Sequence, residues 1–194
     1  IANILAQQRD AFRLLVALLS LLCGGSAVAQ NVVSNPGFES GTNGWVRRFG
    51  GTLTNSSPGH LGTNAARVFN RTGTGQGVQQ SLLGVLQYGT LYSGSAWVRT
   101  SSDTNVTVNF SVQQDDARGA RTSQIASGQI SNVWTQLSGT FPFDVNGTLT
   151  NLNLYVSGPP AGVDLFVDDV SLTPFVFTAP ENLLSNPGFE SSLT

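Results

Sequence analysis

The strongest constraint on the fold is a strict period-two alternation in two stretches of the chain. Val106, Val108, Phe110 and Val112 fall on one side of an extended segment, and Thr107, Asn109, Ser111 and Gln113 on the other. Leu152, Leu154 and Val156 repeat the pattern against Asn151, Asn153, Tyr155 and Ser157. Such alternation turns one face of a strand to a core and the other to water. Clusters of Gly, Asn, Ser and Pro separate further apolar runs, giving candidate strands at 45–53, 65–70, 77–82, 91–100, 105–113, 121–126, 133–141, 149–157 and 163–172. Many short strands in one domain, with no sustained helical period, predict an all-β fold: a two-sheet antiparallel jelly-roll β-sandwich.

A repeat bounds this domain. Residues 31–40 read Asn-Val-Val-Ser-Asn-Pro-Gly-Phe-Glu-Ser, and residues 182–191 repeat them with Leu-Leu in place of Val-Val, at an offset of 182 − 31 = 151 residues. That offset is about one domain length. The reading is one module over 30–174, a linker over 175–181 bounded by prolines, and the truncated start of a second similar module over 182–194. Ahead of the module, Arg9 and Arg13, the apolar run 11–22 and the small-x-small site Ala27-Val28-Ala29 have the order of a helical signal peptide over 1–29. The expectation is an exported protein, secreted or at the cell surface, with no membrane attachment after cleavage and with more chain downstream.

Composition excludes several chemistries. Charged residues make up 10% of the chain, against about 25% in an average domain. The net charge is −2, and no basic run follows the leader, so a nucleic-acid partner is not expected. The single cysteine, Cys23, lies in the leader, which leaves the module without disulfide, thiolate metal site or thiol nucleophile. The single histidine, His60, sits in a Gly/Ser/Pro-rich loop and reads as an ordinary loop residue. The acidic residues, Asp115-Asp116 in an expected loop among them, form no recognisable acid/base motif, so the module itself is read as non-catalytic.

The expected wet faces carry amides and hydroxyls with isolated aromatics. Gln113, Asn153 and Tyr155 lie on such faces, and in 91–100 Trp97 falls with Ser93, Ser95 and Arg99, opposite Tyr92, Ala96 and Val98. Aromatic rings stack on the C–H face of a pyranose, and amides and arginines bond its hydroxyls. The alternative for the same residues is a merely solvated sheet, with Trp97 in the core.

Five segments in order then carry a resemblance: Asn35-Pro36-Gly37-Phe38-Glu39 with Gly44-Trp45; 92–99 (YSGSAWVR); 134–141 (WTQLSGTF); Leu154-Tyr155-Val156; and 166–172 (FVDDVSL). Together they resemble the carbohydrate-binding modules of families four, nine and twenty-two across essentially all of 31–174. The resemblance implies a galactose-binding-like jelly roll and a polysaccharide ligand of the xylan or β-glucan class. It also implies adjacent modules in the same chain, commonly a glycoside hydrolase. It implies a structural Ca²⁺ tying the opening turn to the last strand through Glu39 and Asp168, with Asp169 expected on the opposite face. Sugar contacts implied by it, or by the amide faces, are Tyr155, Arg71, Trp97, Asn153, Gln113 and an arginine after Trp45 (Arg47 or Arg48, of which Arg48 is the candidate). Trp45 and Trp134 are expected to be structural. The chain departs from xylan-binding relatives at two points. Residues 73–76 (GTGQ) hold no stacking tryptophan, and Ser157 stands where those relatives have a carboxylate. The competing expectation is therefore a structural or adhesive surface repeat that has lost sugar binding.

Overall fold

The computed structural model describes residues 29–175. The expected signal peptide up to residue 28, the linker beyond Phe175 and the second copy of the opening motif lie outside the described residues.

Ten strands are present: β1 (Val46–Arg48), β2 (Thr52–Ser56), β3 (Ala65–Phe69), β4 (Gly77–Ser81), β5 (Thr90–Thr100), β6 (Val106–Asp116), β7 (Gly119–Ile130), β8 (Thr135–Phe143), β9 (Asn151–Ser157) and β10 (Leu165–Pro174). They pair antiparallel in two five-stranded sheets, ordered β1-β4-β9-β6-β7 and β2-β3-β10-β5-β8. This is the two-sheet jelly-roll sandwich, and no α-helix occurs among the described residues. The core lies between the sheets. Val108, Phe110, Val112, Leu152, Leu154 and Val156 of the first sheet are fully buried, as are Val68, Ala96, Val98, Leu165, Val167 and Leu172 of the second. Each larger side chain contributes about 1.5–3 kcal/mol on burial.

The Asn-Pro-Gly-Phe-Glu turn straps the N-terminal segment onto β10. Val32 N donates to Leu172 O (2.9 Å) and Val170 N to Pro36 O (3.0 Å). The Asn31 side chain donates to Val170 O (3.0 Å) and accepts from Leu172 N (2.9 Å). Phe38 is fully buried, 5.0 Å from the Trp45 ring, and the indole N–H donates to Ser34 O and Asn35 O. Trp45 is structural, as its place in the motif implies.

Three expectations are corrected. The single strand expected over 45–53 is two strands in two sheets. Phe49, Gly50 and Gly51 have φ of 54°, 131° and 75°, a left-handed stretch that no β ladder accommodates, and the chain crosses between the sheets there. Asp115 and Asp116 are not in a loop, because β6 continues through them, pairing Asp115 with Ala120 and Asp116 with Gly119. The strand can carry Asp116 because its carboxylate accepts from Arg118, Arg121 and the Asn146 N–H. The side-chain hydrogen bond from Arg118 holds its pKa well below the usual carboxylate range. Finally, Asp169 does not face away from Asp168. The β10 register slips between Asp168 and Ser171, and Asp169 takes a φ of 45°. This bulge turns both carboxylates toward Gly37, where an added Cβ would lie 3.5 Å from Asp169 Oδ1 and 3.8 Å from Asp168 Oδ1.

Candidate functional site

The outer face of the β1-β4-β9-β6-β7 sheet gathers four of the six expected sugar contacts. Register brings them together: Tyr155 of β9 lies between Gln79 of β4 and Ser111 of β6, and Asn153 lies beside Gln113. From β1, Arg48 reaches across the face. Its Nη1 donates to Gln79 Oε1 (3.0 Å) and its Nη2 to Gln113 Oε1 (2.8 Å). Its guanidinium carbon stands 3.7 Å from the centroid of the Tyr155 ring and 4.2 Å from that of Phe49. The middle of the face is thus recessed rather than open: Arg48 is 6% exposed and Tyr155 7%. Burial lowers the Arg48 pKa, and the Tyr155 phenol partly opposes this. Arginine stays charged regardless.

This arrangement fixes what the face offers. An arginine only donates, so the oxygen end of each glutamine must turn toward it, which sets the orientation of both amides. Among the described residues the Gln79 and Gln113 Nε2 groups have no hydrogen-bond partner, and the same holds for the Tyr155 hydroxyl. Asn153 donates to Asn151 Oδ1 (2.7 Å), which leaves its own Oδ1 as an acceptor. Donors and acceptors therefore border an apolar ring beside one buried cation, and the Asp115 carboxylate, one register step beyond Gln113, accepts from Asn151 (3.2 Å). That suits a neutral polyol.

Of the two arginines after Trp45, Arg47 points elsewhere, donating only to Gly51 O (3.4 Å). Gln79 was not anticipated, because Gln79-Gln80 are polar in both directions and hide which one faces inward. Gln80 is the buried one, bonded to both main-chain groups of Ser34.

The remaining two expected contacts are elsewhere. Arg71 is 2% exposed and donates to the carbonyls of Gly73, Gln76, Pro159, Pro160 and Val163. It ties the 73–76 and 159–163 loops together and has no donor turned to the recessed face. Trp97 is on the other sheet, neither core nor near Tyr155. It stacks on His60 at 3.7 Å, and Trp134 meets the same imidazole edge-on at 5.9 Å. Arg99 lies 3.8 Å from the Phe166 ring on the same face. His60 also donates from Nδ1 to Asp169 Oδ2 (2.7 Å), so the loop histidine is a packed element of the fold. Its partners come from distant strands, which no local pattern reveals.

Glu39 and Asp168 both hold the 59–64 loop. Glu39 Oε1 accepts from Thr63 N and Asn64 N (both 2.9 Å), and Asp168 Oδ2 accepts from His60 N (2.7 Å). Gly62 lets Glu39 approach the backbone, where a Cβ would collide with its carboxylate, and Gly59 does the same for Asp168. Asp168 is fully buried, and desolvation pushes its pKa up to about 6. No arginine pairs with either residue among the described ion pairs. An all-oxygen set with an uncompensated buried carboxylate fits a hard cation. The described residues hold no cluster of three or more acidic, His or Cys side chains close enough to bind a metal. A cation there would draw its remaining ligands from main-chain and amide oxygens, as calcium does.

Residues 30–162 match the carbohydrate binding domain family. The chain is 34% identical over 170 residues to endo-1,4-beta-xylanase A of Thermoanaerobacterium saccharolyticum, covering 84% of this chain and 15% of that enzyme. It is 34% identical over 150 residues to exoglucanase XynX of Acetivibrio thermocellus, covering 74% and 14%. The chain thus spans about one seventh of the length of these relatives. Among solved structures, a CBM22-1 xylan-binding domain from Paenibacillus barcinonensis superposes with a TM-score of 0.68 at 21% identity, covering 77% of this chain and 97% of that one. A Clostridium thermocellum xylanase structure of CBM22-1 and GH10 modules with xylohexaose gives 0.62 at 25% identity, covering 75% and 29%.

Proposed function

The chain belongs to the carbohydrate binding domain family and is a non-catalytic carbohydrate-binding module, and from that premise we propose that the β1-β4-β9-β6-β7 face is its polysaccharide site. The observation that carries the reading is the Arg48 bridge, which orients two glutamine amides and backs the Tyr155 ring. The ligand is a neutral β-linked polysaccharide of the xylan or β-glucan class; one similar structure is a xylan-binding domain and another holds xylohexaose, which supports this choice. Isothermal titration or affinity electrophoresis against soluble xylan, β-glucan and galactan tests it. Binding to xylan or β-glucan is expected, and no binding to any of the three overturns it.

Two further parts of the reading rest on the sequence. The module belongs to a longer exported glycoside hydrolase, with the offset repeat as a tandem second module; weak single sites then gain through effective concentration. A calcium ion joins Glu39 and Asp168, takes its remaining ligands from main-chain and amide oxygens, and fastens the opening turn to β10 and the 59–64 loop. Ser157 and the ring-free 73–76 loop favour the second reading, a structural repeat without sugar binding. A calcium-dependent fold with no glycan affinity is the outcome that selects it.

A further inference from the structure

Phe49 combines two features that folding alone does not favour. Its ring is 71% exposed, and its backbone has a φ of 54°, a conformation costly for a bulky side chain. A strained residue that buries almost nothing points toward function. The surroundings hold it in place. Gln76 Nε2 reaches Phe49 O (3.4 Å) and bonds Thr72 Oγ1 (2.9 Å), while Gln76 Oε1 accepts from Thr72 N (2.7 Å). Gly50 allows this approach, since a Cβ there would stand 2.6 Å from Gln76 Nε2. The ring's inner side meets the Arg48 guanidinium at 4.2 Å. Its edge borders Gly75, where a Cβ would lie 3.5 Å from Phe49 Cδ2. Tyr88, another exposed aromatic, is not among the rings that the Arg48 guanidinium covers.

We propose that Phe49 is an aromatic subsite at the β1 end of the recessed face, stacking on the C–H face of one pyranose of a polysaccharide whose neighbouring unit lies over Tyr155. The inference rests on the site reading above. Two rings that share one guanidinium are joined through it into a single surface, with the Gln79 and Gln113 amides alongside. The 73–76 loop leaves that surface uncovered, because Gly73 and Gly75 carry no side chain.

The test is isothermal titration of soluble xylan, and of soluble β-glucan, into wild type, Phe49→Ala, Phe49→Trp, Tyr155→Ala and the double variant Phe49→Ala/Gly75→Trp. Loss of one stacked ring is expected to weaken binding roughly tenfold in Phe49→Ala. Phe49→Trp restores or improves it. The double variant regains part of the loss, because Gly75 faces the same space. Intermolecular nuclear Overhauser effects between Phe49 ring protons and sugar ring protons are the readout that a merely structural role would not give. Phe49→Ala binding as wild type while Tyr155→Ala loses affinity overturns the subsite and leaves the site standing. No binding by wild type to either polysaccharide overturns both.

Discussion

Arg48→Lys is the perturbation that separates an orienting role from simple charge. Lysine keeps the cation and most of the stem, but a single ammonium cannot span Gln79 Oε1 and Gln113 Oε1, which Arg48 reaches with different nitrogens at 3.0 and 2.8 Å. One charge-assisted hydrogen bond is lost, about 1.5–3 kcal/mol. For a domain of this size, each kcal/mol lowers the unfolding midpoint by about 2–4 °C. The one freed glutamine must also be ordered again when ligand binds, at about 0.5–1.5 kcal/mol. That weakens affinity by about 2- to 13-fold. Differential scanning calorimetry and isothermal titration on the same preparation read both effects. An unchanged melting temperature together with unchanged affinity would refute the argument that Arg48 organises the face.

Other perturbations probe the scaffold. With calcium chelated, stability should depend on Asp168. Its pKa is pushed up to about 6 by burial, so the folded state holds this proton more tightly than the unfolded chain does. Its contribution is then full below the ordinary carboxylate value and is lost as pH rises through about 6. From 3.8 to about 6, at about 1.36 kcal/mol per pH unit, the loss is about 3 kcal/mol by pH 8; urea unfolding across pH 4–8 measures it, and saturating calcium should abolish the decline. Gly77→Ala drives a Cβ into the Val156 carbonyl, so β4 must separate from β9. A loss of about 1–3 kcal/mol or more by urea titration is expected, with lower xylan affinity because Gln79 moves with the strand.

The sandwich was legible because its signal is local. Alternation at 106–112 and 152–156 directly reports which side chains meet the core, and those side chains are fully buried. What escaped depends on φ reversals and on distant partners. The crossing at Phe49 left a trace in Gly50-Gly51, a pair that alternation alone reads as part of a strand. The bulge that brings Asp169 beside Asp168 left an ambiguous one: the core positions pass from Leu165 and Val167 to Val170 and Leu172 across Asp168-Asp169, but Phe166 with Val170 and Leu172 also reads as an unbroken alternation. Tyr155, Gln113, Asn153 and Arg48 could be chosen from face and motif. Arg71 could not be excluded, because its carbonyl partners at 159–163 lie nearly ninety residues away and belong to a loop without a pattern. Trp97 was placed on the correct outward side of its strand, but which sheet that strand joins is a matter of topology.

The central claim is that one sheet face binds the glycan. Amide chemical-shift mapping of the isotope-labelled chain, titrated with soluble xylan or β-glucan fragments, tests it most directly. Perturbations are expected to cluster at Arg48, Phe49, Gln79, Gln113, Asn153 and Tyr155. Perturbations confined to the opposite face around Trp97, Arg99 and Phe166, or none with any glycan, would contradict it.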